Sequence, residues 1–324
     1  MSRPNFKKLK NDKILLLGDF FLDEFLFGES DRISPEAPVP VIRPRESEFS
    51  LGGAGNVLVN LTNLGANVIP VGILGTDSIS KKILSIIKQK KITAKNFIID
   101  KNSNGILKKR IIIKNQHIAR LDYENINFEL TRKYEKKIKS IILDLVKNCK
   151  LIIISDYGKG NLTDEIIRYT IKIANNSKIP TIVDPRKKNN NYSIYSQASF
   201  VTPNMDELRA AFPNLKNDHF EIMKVADILK KNYLIKNILI TRGEHGISLY
   251  SDKFKHHFKS TAKEVYDVSG AGDTVIAILS TCILLKMNIK KIIKLANLCA
   301  GYVISFRGTK PITKKQFIKF SKLL

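Results

Sequence analysis

The chain predicts an α/β fold: a doubly wound, mainly parallel sheet flanked by helices, with a small β-sheet lid. Two observations carry that expectation. Short apolar runs bounded by turn residues alternate with longer segments of helical spacing, and two extended stretches leave no room for helices between their strands. The first strand falls at Lys13–Gly18, with later ones at 68–73, 151–155, 181–183, 200–202 and 237–241. Helical spacing covers 54–64, 78–90, 131–146, 164–174 and 218–231, and 275–285 reads as a buried helix. Segments 38–51 and 105–123 form the lid, over a site at the carboxyl ends of the main strands. At 324 residues the chain fits one large domain over 1–324.

Composition bounds the function classes. With 43% hydrophobic residues the chain can bury a large core, yet no stretch reaches the roughly 18 apolar residues of a membrane span. No secretory signal follows the N-terminal basic residues, and Cys149, Cys282 and Cys299 form neither a metal spacing nor an even disulfide set. A cytoplasmic protein without a membrane partner is expected. The net charge of +25 invites a nucleic-acid reading. Its lysines are spread along the chain without interleaved aromatic residues, so no nucleic-acid partner is expected. An anionic substrate would still benefit from the field.

Residues 265–274, Val-Tyr-Asp-Val-Ser-Gly-Ala-Gly-Asp-Thr, place a carboxylate after a glycine-rich turn that opens an apolar helix. Gly270 and Gly272 allow close approach to an anion. The amides of Ala271, Gly272 and Asp273 can then bind phosphate oxygens while a free Asp273 carboxylate takes a proton from an alcohol. A plain helix cap is the other reading of the same residues. Gly18-Asp19 with Asp23 ends the first strand where carboxylates suit sugar hydroxyls, and Gly52-Gly53-Ala54-Gly55-Asn56 opens a helix close to a ligand. Further polar loops end later strands: 155–160 with Asp156 and Lys159, 184–186 with Arg186, 202–207 with Asn204 and Glu207, and 241–246 with Thr241, Gly243 and Gly246. There is no Walker lysine loop and no dinucleotide-binding Gly-x-Gly-x-x-Gly, and the histidines show no metal spacing.

Gly52-Gly53 with Asn56, Asn204-x-x-Glu207, Thr241-Arg242-Gly243 with Gly246, and 267–273 together resemble the ribokinase-like (PfkB) carbohydrate kinases over nearly the whole chain. The resemblance implies ATP with Mg²⁺ as phosphoryl donor, Asp273 as catalytic base, and Gly270, Ala271 and Gly272 as anion hole. Glu207, with Asn204, would organise the Mg²⁺ and phosphates. Thr241, Gly243, Gly246, Asp267 and Asn297 would serve the nucleotide, and potassium is a candidate monovalent cation. Within the family, Arg32-Ile33-Ser34-Pro35-Glu36-Ala37-Pro38-Val39-Pro40-Val41, Lys109-Arg110 through Asn115-Gln116, and Arg120-Leu121-Asp122 resemble the kinases of D-glycero-β-D-manno-heptose 7-phosphate. That implies phosphorylation of the anomeric hydroxyl in ADP-heptose synthesis for lipopolysaccharide. It also implies a separate adenylyltransferase, because no nucleotidyltransferase domain follows the kinase helices. Asp19, Asp23, Gly52, Gly53, Asn56, Gln116, Asp122 and Asp156 are the expected sugar contacts. Lys109, Arg110, Arg120, Lys159 and Arg186 supply cations for the 7-phosphate. Another sugar phosphate, fructose 1-phosphate or tagatose 6-phosphate, is the alternative acceptor. The lid's exposed sheet edges suggest a homodimer.

Overall fold

The computed structural model describes residues 6–114, 116–186, 191–262 and 264–324. In chain order the elements are α1 (Phe6–Asn11), β1 (Lys13–Gly18), β2 (Phe20–Glu29), β3 (Arg43–Gly53), α2 (Ala54–Asn63), β4 (Asn67–Leu74), α3 (Ser78–Gln89), β5 (Phe97–Ile99), β6 (Ile106–Ile113), β7 (Gln116–Tyr123), α4 (Phe128–Val146), β8 (Cys149–Ser155), α5 (Asp164–Asn176), β9 (Thr181–Asp184), β10 (Phe200–Val201), α6 (Met205–Ala211), α7 (His219–Tyr233), β11 (Asn237–Thr241), β12 (Ile247–Tyr250), β13 (Lys255–Phe258), α8 (Ala271–Leu284), α9 (Ile289–Val303) and α10 (Lys314–Ser321). Asn115 lies outside the described residues.

Among the described residues the main sheet has nine strands in the order β13-β12-β11-β10-β9-β8-β1-β4-β5. All pairs are parallel except the antiparallel edge made by β11, β12 and β13. Side chains on a strand alternate between faces, and here both faces are covered. Ile14 and Leu16 of β1 pack with residues of α2, α8 and α9. Leu15 and Leu17 pack with α4, α5 and α7 on the other side. That double burial explains the continuous apolar runs of the central strands.

Winding reverses between β1 and β8, so the ends of these strands, Gly18 and Ser155, flank the crevice where an open α/β sheet binds ligands. From there β2 rises directly out of β1 into a separate four-stranded sheet, β3-β2-β6-β7. The lid therefore differs from expectation. It includes β2, and its return strand starts at Arg43; residues 38–42 contribute only an isolated bridge between Pro40 and Ile33. Helix starts follow their caps: Asn127 accepts from the Leu130 amide at 3.0 Å, which begins α4 three residues before the apolar spacing does. Among the described residues no helix is long and apolar enough to cross a membrane. All three cysteines are buried and unpaired.

Candidate active site

Asp273 lies in the first turn of α8, 7% exposed. One carboxylate oxygen accepts from Asn56 Nδ2 at 2.7 Å, and the other accepts the Tyr157 hydroxyl at 2.8 Å. The carboxylate is therefore clamped from two sides, contrary to the free group expected. Asn56 reaches it from the first turn of α2, immediately after β3, while Tyr157 reaches it from the loop after β8. Burial pushes Asp273 up to about 6, against the pull of the Tyr157 and Asn56 hydrogen bonds. Such a group is ionised at neutral pH yet basic enough to accept a proton, which suits a general base. Gly270, at φ 79°, caps the helix without a side-chain hydrogen bond. The Ala271 amide makes only a long 3.4 Å bond to the Val268 carbonyl, which leaves the Gly272 and Asp273 amides as the stronger candidates for an anion.

Tyr157 is a site residue that the sequence does not single out, although its loop is recognisable as a polar strand end. Changing Tyr157 to Phe removes a donor to the ionised base. The acid limb of the kcat/KM profile should then move about one pH unit upward, because a hydrogen bond to a charged group carries that much free energy. A pH profile of the variant that superposes on the wild type refutes this role.

The side where sugar contacts are expected is built by the pleat of the lid. Parallel β2 and β6 and antiparallel β6 and β7 set two cross-strand rows on the inner face: Asp23-Lys108-Asp122 and Phe25-Arg110-Arg120. Arg110 pairs with the buried Asp23 at 2.5 Å and lies 5.2 Å from the centre of the Phe25 ring. Arg120 grips Asp122 with two bonds of 2.8 and 2.9 Å. Gly52 sits under β2, where a Cβ would collide with the Asp23 carboxylate and the Phe21 ring. Adjacent Gly53 caps α2. A cleft of about 600 Å³ lies between the lid residues Arg110, His117 and Arg120 and the segments carrying Ser269 and Arg307. His117 and Arg307 carry no motif in the sequence; their placement depends on the lid's closure over the 305–307 turn.

Several residues expected to contact the sugar have partners within the protein. Asp19 is fully buried and accepts the amides of Tyr157, Lys159 and Asn161 at 3.0, 3.0 and 2.9 Å. Asp156, pushed up to about 6 by burial, accepts Arg186 Nε at 2.7 Å and the Tyr195 hydroxyl at 2.8 Å. Arg186 also meets Asp164 at 3.1 Å, and Lys159 pairs with Glu124 at 2.5 Å. These four residues hold the 156–161 loop, and thereby Tyr157. Lys109 points to the opposite face of β6 from Arg110 and pairs with Glu24 at 3.1 Å. Gln116 is exposed at the start of β7, and its neighbour His117 lines the cleft instead.

Where nucleotide contacts are expected, Thr241 ends β11. Gly243 and Gly246 close a tight turn through bonds of 2.8 Å from the Arg242 amide to the Gly246 carbonyl and 3.0 Å from the Gly246 amide to the Gly243 carbonyl. Asn204 and Glu207 form a capping box at α6: the Glu207 carboxylate accepts the Asn204 amide at 2.8 Å and its side chain at 2.7 Å. Asp184 is a further site carboxylate that no motif marks. It ends β9 and is pushed well above the usual carboxylate range by burial, then by Glu207, Asp273 and Asp156. Among the described residues no group of three or more metal-ligating side chains occurs. Two carboxylates, Glu207 and Asp184, nonetheless suit Mg²⁺, which is typically held by one or two carboxylates together with substrate phosphates and water. Asp267 and Asn297, the other residues expected to serve a nucleotide, have partners within the protein. Asp267 accepts the Ser269 and Gly308 amides at 2.9 and 3.1 Å, and Asn297 donates to the Lys259 carbonyl at 2.6 Å.

The sequence pattern of the pfkB family carbohydrate kinases matches residues 14–315. The bifunctional protein HldE of Helicobacter pylori is 39% identical over 297 residues, covering 92% of this chain and 64% of that protein. HldE of Aliarcobacter butzleri is 36% identical over 316 residues, covering 97% of this chain and 65% of that protein. The chain thus spans just under two thirds of the length of these relatives. Phosphofructokinase-2 from Escherichia coli in complex with potassium superposes with a TM-score of 0.78 at 15% identity, covering 96% of this chain and 98% of that one. Arabidopsis thaliana ribokinase complexed with ribose and ATP gives 0.74 at 16% identity, with 96% and 99% covered. These structures share the ribokinase-like fold. The chain belongs to the pfkB family of carbohydrate kinases.

Proposed function

We propose that this kinase transfers the γ-phosphoryl group of ATP to the anomeric hydroxyl of D-glycero-β-D-manno-heptose 7-phosphate. The observation that carries the reading is the buried Asp273, clamped by Asn56 and Tyr157 at a helix start without a side-chain cap and roofed by a lid whose inner face is rich in cations. Asp273 takes the proton of the acceptor hydroxyl as the oxygen–phosphorus bond forms and the bond from the γ-phosphorus to ADP breaks. The Gly272 and Asp273 amides face the charge on the transferring group. Glu207 and Asp184 would hold the Mg²⁺ that accompanies ATP, whose charge offsets that of the phosphates. Potassium belongs to the same proposal, supported by the potassium complex of the Escherichia coli phosphofructokinase-2.

The heptose phosphate as acceptor rests on the HldE relatives and on the residues of 32–41 and 109–122. In this reading the product passes to an adenylyltransferase activity. Exposed Phe49, Leu121 and Tyr123 on the lid support pairing of two lids in a homodimer. The test is a phosphorus NMR assay with Mg-ATP and heptose 7-phosphate, run in parallel with fructose 1-phosphate and tagatose 6-phosphate. The 1,7-bisphosphate should appear; turnover confined to another sugar phosphate overturns the acceptor.

A further inference from the structure

Lys108 stands out under the lid as a cation that no carboxylate neutralises directly. Register places it between Asp23 and Asp122, yet each of these carboxylates bonds to an arginine of the neighbouring row, Arg110 and Arg120. The third carboxylate acting on it, Glu124, is paired with Lys159. Among the described residues no carboxylate lies within ion-pair distance of the Lys108 ammonium, which sits instead over the Phe21 ring, 4.5 Å from its centroid. Desolvation and Lys159 draw its pKa down, opposed by Asp23, Glu124 and Asp122. An ammonium half-removed from water and without an ion-paired partner is costly, and an anionic ligand would relieve the cost. Lys108 also lies close enough to Asp273 to help favour its ionised form. Phe21 in turn packs edge-on against Tyr157, 5.5 Å between ring centroids, and Tyr157 bonds Asp273, which puts the Lys108 ammonium on the lid-covered flank of the catalytic centre.

We infer that Lys108 holds the phosphate already present on the acceptor sugar, and so selects sugar phosphates over free sugars. Arg110 and Arg120, already bound to Asp23 and Asp122, orient the lid around it. The inference rests on the proposed reaction only in requiring a phosphorylated acceptor.

Lys108→Met keeps the stem over Phe21 and removes the charge. It should raise KM for heptose 7-phosphate about 10- to 100-fold, the range of a charge-assisted hydrogen bond, while KM for ATP stays within about 2-fold. Preference for heptose 7-phosphate over the unphosphorylated heptose should collapse by the same factor. Lys108→Arg should recover most of it, and melting curves report whether the variants fold, with Lys108→Gln replacing a methionine variant that does not. Equal losses on both sugars overturn the assignment, as does a fall in kcat with KM unchanged, which would put the ammonium on the transferring phosphoryl group. If the wild-type enzyme turns over a different sugar phosphate, the heptose reading fails and the same comparison is made with that substrate. A wild-type preference for an unphosphorylated sugar overturns the Lys108 inference itself.

Discussion

Asp273→Asn is expected to lower kcat by about 10²- to 10⁴-fold, the contribution of a positioned general base, while ATP binding persists. The amide keeps the shape of the side chain and can still meet Asn56 and Tyr157, so a large loss reports the missing proton acceptor. The wild-type kcat/KM should fall about tenfold per pH unit below a pH of about 6, where burial places this carboxyl. Stability runs the opposite way. A carboxyl raised in the fold from its ordinary value of about 4 binds its proton more tightly there than in the unfolded chain. Its contribution therefore weakens as pH climbs from about 4 to about 6 and stays low above that. A neutral amide at this position carries no such penalty, so the variant's melting temperature relative to wild type should be more favourable at pH 8 than at pH 4.5. Near-normal kcat in the variant refutes the base assignment; a melting difference independent of pH refutes the burial argument.

What the sequence disclosed follows from how local each feature is. Lys13–Gly18 and Asn237–Thr241 match the expected strands to the residue, because strands buried on both faces read as uninterrupted apolar runs. β2 escapes notice for a related reason. Its outward Leu22 joins the main core while Phe21 and Phe25 face inward, so Phe-Phe-Leu-Asp-Glu-Phe lacks the polar alternation that marks a lid strand. At the site, the Gly-Ala-Gly-Asp turn and Asn56 are legible because their chemistry lies in the backbone and in one side chain. Which charges remain available is not legible, since Asp19 finds its partners across the switch point between β1 and β8, while Asp156 and Arg186 pair with each other between the loops that follow β8 and β9. The choice between Lys108 and Lys109 depends on a pleat register that one residue's slip would invert.

Gly270 and Gly272 separate two demands that the turn places on glycine. At Gly270 the φ of 79° is left-handed, and a Cβ would stand 2.6 Å from Asn56 Nδ2. Gly270→Ala therefore costs about 1–2 kcal/mol in backbone strain and pushes Asn56 off the Asp273 carboxylate. Its melting temperature should drop, and kcat should fall about 10²-fold, as expected when a catalytic group is displaced by about 1 Å. At Gly272 a Cβ would meet nothing within 4 Å, and alanine favours a helical residue by about 1 kcal/mol. Gly272→Ala should fold at least as well as the wild type. Its methyl group, however, tilted toward the N-terminus as every helical Cβ is, would crowd transferring phosphoryl oxygens that approach the amides there. Loss of activity of about 10²-fold without loss of stability is the outcome an anion hole requires, because nothing in the protein itself resists that methyl group. Full activity in Gly272→Ala would reduce the turn to a helix cap, with glycine needed only at position 270.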